Sequence, residues 1–245
     1  MINYKTLEEI EIMRLGGKIS SNALQLALNM AEEGISLKDI DTEVEKFIVK
    51  NNAKPSFKTV PGYKFSTCIN INDGLVHGIP NNYILKKGDL VKIDLGVVYD
   101  GFHTDTSGTK EIGSNIEKRF VEAGVICVEN AIEKCQIGNK LGDISHIMQT
   151  SIESKGYSVS RSLVGHGIGR NLHEDPLVPP YGKSGTGISL KEGLVLAIEI
   201  IYQKGSYQIR TLEDGWTIST KDGSLGGLCE HTVAITRKGP LVLTK

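Results

Sequence analysis

Leu85-Lys86-Lys87-Gly88-Asp89-Leu90-Val91-Lys92-Ile93-Asp94-Leu95-Gly96-Val97 recurs in outline as Leu190-Lys191-Glu192-Gly193-Leu194-Val195-Leu196-Ala197-Ile198-Glu199-Ile200-Ile201-Tyr202. In each copy a Leu-Lys-x-Gly turn feeds an apolar run of strand type, and at the same offset from the glycine stands a carboxylate, Asp94 and then Glu199. A charge buried alone in such a strand costs on the order of several kcal/mol, so it must be paired, hydrogen-bonded or bound to metal. The repeat therefore predicts two related half-units, each lending an acid to a site between them.

Outward from Asp94, the next acid is Asp105, on the far side of the turn around Tyr99-Asp100-Gly101. A two-residue loop at Tyr99-Asp100 sets the two aspartates directly opposite one another, whereas a loop at Asp100-Gly101 makes them diagonal neighbours on one face. Either register brings like charges together, for which a divalent cation is the natural compensation. Glu199 lies in a run too apolar for a surface strand, and Glu230-His231 opens another β-type run through Val233-Ala234-Ile235, completing a two-plus-two set of acids.

His166 stands in Gly165-His166-Gly167-Ile168-Gly169-Arg170, where the glycines permit close backbone approach to the imidazole. Arg170 at the third glycine position excludes a dinucleotide loop, and Leu177 upstream of Gly182-Lys183-Ser184 excludes a Walker A loop. His77 precedes Gly78-Ile79-Pro80, and His173 follows the glycine-rich stretch. His103, His146 and His231 have no partner pattern and are expected to be structural or exposed. No Gly-x-Ser-x-Gly elbow competes with a metal mechanism.

The 245 residues suffice for a substantial core, and 28 basic against 29 acidic residues leave a net charge of −1, with no overall basic field for nucleic acid or an anionic membrane. The four cysteines, Cys68, Cys127, Cys135 and Cys229, are widely spaced, which argues against a structural zinc site or a disulfide framework and for a reducing cytoplasm. No signal peptide and no apolar run of membrane-spanning length is evident, so the chain is expected to be cytoplasmic. Thr6-Leu7-Glu8-Glu9 has the form of a capping box opening a helix from Leu7 towards Met30, and a second helix is expected from Ser36 to about Asn51. Strands are expected over 65–110, helices over 117–136 and 143–155, and strands again from Val159. The order suggests an α+β chain whose halves share one sheet, a single domain over 1–245 with halves of roughly 1–112 and 113–245.

Val76-His77-Gly78-Ile79-Pro80, Ile93-Asp94, Gly101-Phe102-His103-Thr104-Asp105-Thr106-Ser107, Gly165-His166-Gly167-Ile168-Gly169 with His173-Glu174-x-Pro176, Ile198-Glu199 and Glu230-His231-Thr232 occur in that order. Together they closely resemble type I methionine aminopeptidases over essentially the whole chain. The resemblance implies the pita-bread fold, two pseudo-symmetric halves around a dinuclear site, and removal of N-terminal methionine ahead of a small second residue. It implies Asp94, Asp105, His166, Glu199 and Glu230 as metal ligands, with Glu199 also the proton shuttle, and two divalent ions. This oxygen-rich set suits Mn²⁺, Fe²⁺ or Co²⁺. His77 and His173 would contact the scissile peptide, and Tyr63, Cys68 and Trp216 would line the methionine pocket. The implied partners are the N-termini of nascent polypeptides, with a transient ribosome contact and a monomeric state as further expectations.

Three residues depart from the family pattern. Ile200 stands where proline usually follows the acid, Leu172 where phenylalanine often precedes the histidine, and Val60 where an aromatic is common. None is a ligand position, so they bear on pocket shape rather than on chemistry. The rival readings are a proline-directed aminopeptidase or prolidase of the same fold, which usually carries an added N-terminal domain, and a non-catalytic binding module, which would have lost its ligands.

Overall fold

The computed structural model describes residues 2–245; Met1, with which the expected domain begins, lies outside the described residues. Helix α1 spans Leu7–Met30 and opens with the expected reciprocal cap: Glu9 N donates to Thr6 Oγ1 (3.2 Å) and Thr6 N to Glu9 Oε2 (2.9 Å). Helix α2 (Leu37–Lys50) is capped by Ser36, whose Oγ accepts from Asp39 N. Helices α3 (Lys118–Glu133) and α4 (Leu141–Glu153) follow the central hairpin. The last begins at Leu141 rather than Asp143, because Asp143 sits inside the first turn and reaches back to Lys140 N (2.8 Å).

Between and after the helices the chain builds a ten-stranded sheet among the described residues. Its centre runs in the order Leu90–Tyr99, Phe102–Glu111, Gly226–Thr236, Val195–Gln203, then Gly165–Gly167 and Glu174–Val178. Thus the first-half hairpin and the second-half pair meet strand against strand, joined by the pairings Glu230 with Ser107 and His231 with Thr106. The two copies of the repeated segment, Leu90–Tyr99 and Val195–Gln203, occupy equivalent places on either side of that seam.

Side-chain alternation then sorts the strands into two faces. Val91, Ile93, Leu95 and Val97 pack with Leu24, Ala27, Ile40 and Val44 of α1 and α2. Leu196, Ile198, Ile200 and Tyr202 pack with Phe120, Cys127, Ile144 and Met148 of α3 and α4. Each buried Ile or Leu contributes about 1.5–3 kcal/mol by leaving water, so a one-residue slip of either strand would forfeit an entire row. Because the helices cover one face, the acids are left on the other. Burial on both faces explains why these strands read as near-continuous apolar runs.

The last acid-bearing strand begins at Gly226, ahead of the expected opening at Glu230, so Glu230 lies mid-strand. The signal is weak because two glycines open it. A Cβ at Gly227 would stand 2.4 Å from the Tyr202 ring, and one at Gly226 2.4 Å from Leu75, so bulk there is excluded by neighbours rather than by the strand itself.

The hairpin loop is Asp100-Gly101, with φ of 46° and 79°, and it pairs Tyr99 with Phe102. Two left-handed residues are what a tight turn matching the strand twist requires. Gly101 has no atom within 4 Å of an added Cβ, so Gly101→Ala tests backbone strain alone. We expect a loss of about 1–2 kcal/mol in denaturant unfolding, with metal content unchanged; a larger loss together with metal release would mean that the turn, and not the flanking faces, holds the register.

Candidate metal centre

The register decides the site. Asp94 pairs with Ser107, Ser107 with Glu230, and Glu230 with Glu199, so one row of partners crosses four strands on the face away from the helices. Asp105 pairs with Gly96, making it the diagonal neighbour of Asp94, the second of the two geometries open from sequence. A Cβ at Gly96 would lie 2.7 Å from Ser56, so this position beside Asp105 accepts no side chain. His166 pairs with Ala197, two residues from Glu199 on the same strand, and joins the same face.

Asp105, His166 and Glu230 each place one ligand atom so that all lie within 4.8 Å of one another, and all three are buried. Asp94 is buried beside them with Oδ1 unpartnered, while Glu199 opens partly to a cavity of about 390 Å³. Burial raises the proton affinity of all four carboxyls, and their mutual repulsion raises that of Asp94, Glu199 and Glu230 further. Four acids this close together, three of them buried, cannot all ionise without added positive charge. The buried, unpartnered oxygen of Asp94 and the converging donors therefore fit divalent cation binding.

His166 is prepared in the same sense. Its Nδ1 lies 2.8 Å from Gly167 O, which can only accept, so that nitrogen carries the proton and Nε2 keeps its lone pair. Burial pushes its pKa down to about 4, leaving the ring neutral near pH 7. The flanking glycines do steric work: a Cβ at Gly165 would come 2.4 Å from Ala197 O, and one at Gly167 2.3 Å from Asp175 O.

His77 and His173 differ from His166 in exposing their side chains, and both line the cavity. His77 has a left-handed backbone, φ 59°, a strained state for a residue with a Cβ. Its neighbours impose it: Ile69 N donates to Gly78 O (3.0 Å), Tyr63 Oη stands 3.1 Å from the same oxygen, and a Cβ at Gly78 would meet Ile69 O at 2.3 Å. His173 stacks edgewise on His166 at 4.4 Å between ring centroids.

The rest of the cavity lining is largely apolar. Tyr63 and Trp216 meet edge to face at 5.1 Å, and buried Cys68, paired with Asp94 in register, lies beside them. All ten site residues expected from sequence therefore line one cavity. The sequence reading missed Phe57, Leu177, Ile201 and the loop Ser162–Val164, which line it too and carry no polar motif. It also missed Lys92, fully buried two residues before Asp94, whose Nζ donates to Asn72 O (2.8 Å) and Leu90 O (3.1 Å) and whose pKa burial lowers to about 7. Of the histidines set aside, His103 is buried against Ser56 (2.6 Å) and His146 is exposed.

The sequence pattern of metallopeptidase family M24 matches residues 11–237. The chain belongs to that family. It is 45% identical to a methionine aminopeptidase of Clostridium perfringens over 100% of this chain and 99% of the relative. The crystal structure of a methionine aminopeptidase from Thermotoga maritima superposes with a TM-score of 0.97 at 41% identity, each chain covered completely. A prolidase from Pyrococcus furiosus superposes at 0.79 and 29% identity, with 99% of this chain but 65% of that one covered. The architecture is the pita-bread fold, and the family is one of metal-dependent peptidases.

Asp105→Asn replaces an anionic donor by a neutral amide at the middle of the cluster. Elemental analysis and calorimetric titration with Mn²⁺ are expected to show loss of tight metal binding in this variant, and retention of it in His77→Ala. Metal loss in His77→Ala would make His77 a ligand instead.

Proposed function

We propose that this chain hydrolyses the peptide bond after an N-terminal methionine, as a metal-dependent aminopeptidase. The observation that carries the reading is the joining of five converging donors to a largely apolar lining within one cavity. Full-length likeness to methionine aminopeptidases supports it, and the shorter coverage of the prolidase leaves the proline-directed reading weaker. The intact donor set speaks against a non-catalytic module.

Asp94, Asp105, His166, Glu199 and Glu230 would hold two divalent ions, of Mn²⁺, Fe²⁺ or Co²⁺ type given one imidazole and four carboxylates. When bound, such a pair lowers the pKa of water towards neutrality and polarises a carbonyl. Glu199, partly open to the cavity, takes up and returns a proton at its carboxylate. His77 and His173 donate hydrogen bonds to the scissile peptide, where negative charge develops on the carbonyl oxygen. Tyr63, Cys68 and Trp216 enclose the thioether, whose polarisable sulfur suits aromatic edges. Val60 and Leu172 add aliphatic bulk to the same cavity and bear on which second residues fit, whereas Ile200, expected to shape the pocket, packs on the helix-facing side of its strand and its neighbour Ile201 lines the cavity instead.

We read the described chain as one domain whose halves, roughly 1–112 and 113–245, meet at the sheet seam. We place it in the cytoplasm as a monomer acting on nascent chains, a setting compatible with a passing ribosome contact. Four free buried cysteines suit a reducing compartment, and no helix of the described residues is long and apolar enough to cross a membrane.

The decisive assay compares Met-Ala-x and x-Pro-x peptides after chelation and titration with single metals. Turnover of the first, restored by divalent ions, is expected; preference for the second would overturn the assignment. His77→Ala should lower kcat by roughly 10²–10⁴-fold with metal retained, measured under saturating substrate.

A further inference from the structure

His173 owes its place to a part of the chain remote in sequence. It sits in the bend over 169–173, just before the strand Glu174–Val178, and its ring contacts His166 but makes no hydrogen bond among the described residues. Apart from that contact, the ring's orientation is set by the backbone beneath it. That backbone is gripped by Glu174: Oε1 accepts from Asn171 N (3.1 Å), and Oε2 receives Lys5 Nζ at 2.5 Å. Lys5 and Glu174 side chains are 3% and 2% exposed, a fully buried ion pair.

Lys5 is itself anchored. Its Nζ also donates to Asn3 O (3.0 Å), and its backbone N donates to Gly193 O (2.7 Å), in the second Leu-Lys-x-Gly turn. The lysine stem runs under the loop so closely that a Cβ at Gly169 would lie 2.2 Å from Lys5 Cε. Gly169 O in turn accepts from His103 N (2.6 Å), and Arg170 pairs with Glu9 of α1 (2.7 Å). An apolar pair of equal volume would serve stability as well as a buried ion pair does, so stability alone gives no reason for charges here. What the pair adds is a fixed direction.

We propose that Lys5, acting through Glu174, is a positioning residue for His173, so that the N-terminal segment sets the geometry of the substrate-facing imidazole. This rests on the assignment of His173 to the substrate. Misplacement of a positioned group by about 1 Å costs up to ~10²-fold in rate. In the metal-loaded full chain, Lys5→Met is thus expected to lower kcat for a Met-Ala-Ser peptide by roughly 10–10²-fold, with KM and metal content near wild type. Lys5→Arg should restore most of the rate. The His173 imidazole signals in a ¹H–¹⁵N spectrum should broaden or move in Lys5→Met and return in Lys5→Arg.

The double variant Lys5→Met/His173→Ala should be no slower than His173→Ala alone, because there is no ring left to misplace. Unchanged kcat in Lys5→Met, an equal further loss in the His173→Ala background, or metal release matching the lost activity would each overturn the proposal. If Lys5→Met does not fold, the isosteric Glu174→Gln carries the same expectations. Full activity of His173→Ala by itself would overturn the underlying assignment of His173, an outcome distinct from any failure of Lys5.

Discussion

Four carboxyl groups on adjacent strands, Asp94, Glu230 and Glu199 along one row of register partners with Asp105 on the diagonal, repel one another in a largely buried setting. No arrangement of the sheet relieves that repulsion without a cation or shared protons. The rest of the molecule holds the row together against it. Helices α1 to α4 press on the opposite face and bury the alternate residues of the same strands, so the packing that fixes the register also fixes the spacing of the acids.

The face that carries the acids is assembled by close backbone approach. Gly96, Gly165 and Gly167 each stand where a side chain would strike a neighbouring strand or Ser56, and all three adjoin a proposed ligand in register or sequence. His166 gains its usable lone pair from a carbonyl one residue away, while His77 gains its exposure from a strained backbone locked by Gly78 and Tyr63. The two kinds of histidine are therefore distinguished by solvent access: the proposed ligand is buried, and the proposed substrate contacts face the cavity.

The N-terminal segment belongs to this architecture as much as the strands do. Through Lys5 and Glu9 it ties the start of α1 to the His173 bend and to the second Leu-Lys-x-Gly turn, joining the first half to the second away from the seam. The repeat thus supplies two of the four acids, Asp94 and Glu199, and an element outside the repeat shapes what surrounds them.

His166 as a donor and His77 and His173 as proposed substrate contacts came from the resemblance to methionine aminopeptidases, whereas the two related halves, the four helices and the strand-borne acids were legible as expectations from the residues themselves. Those features are local: apolar periodicity, capping residues, and acids placed where an apolar strand could not otherwise tolerate them. Tertiary structure alone decided between the two hairpin registers for Asp94 and Asp105, because one residue of loop position changes the pairing without changing the pattern. It alone showed Glu230 mid-strand behind two glycines, since the need for those glycines lies in Tyr202 and Leu75. It alone joined Lys5 to Glu174 and buried Lys92, because a charge's partner is fixed by which surfaces meet, and nothing in the neighbouring residues announces a contact made across the fold.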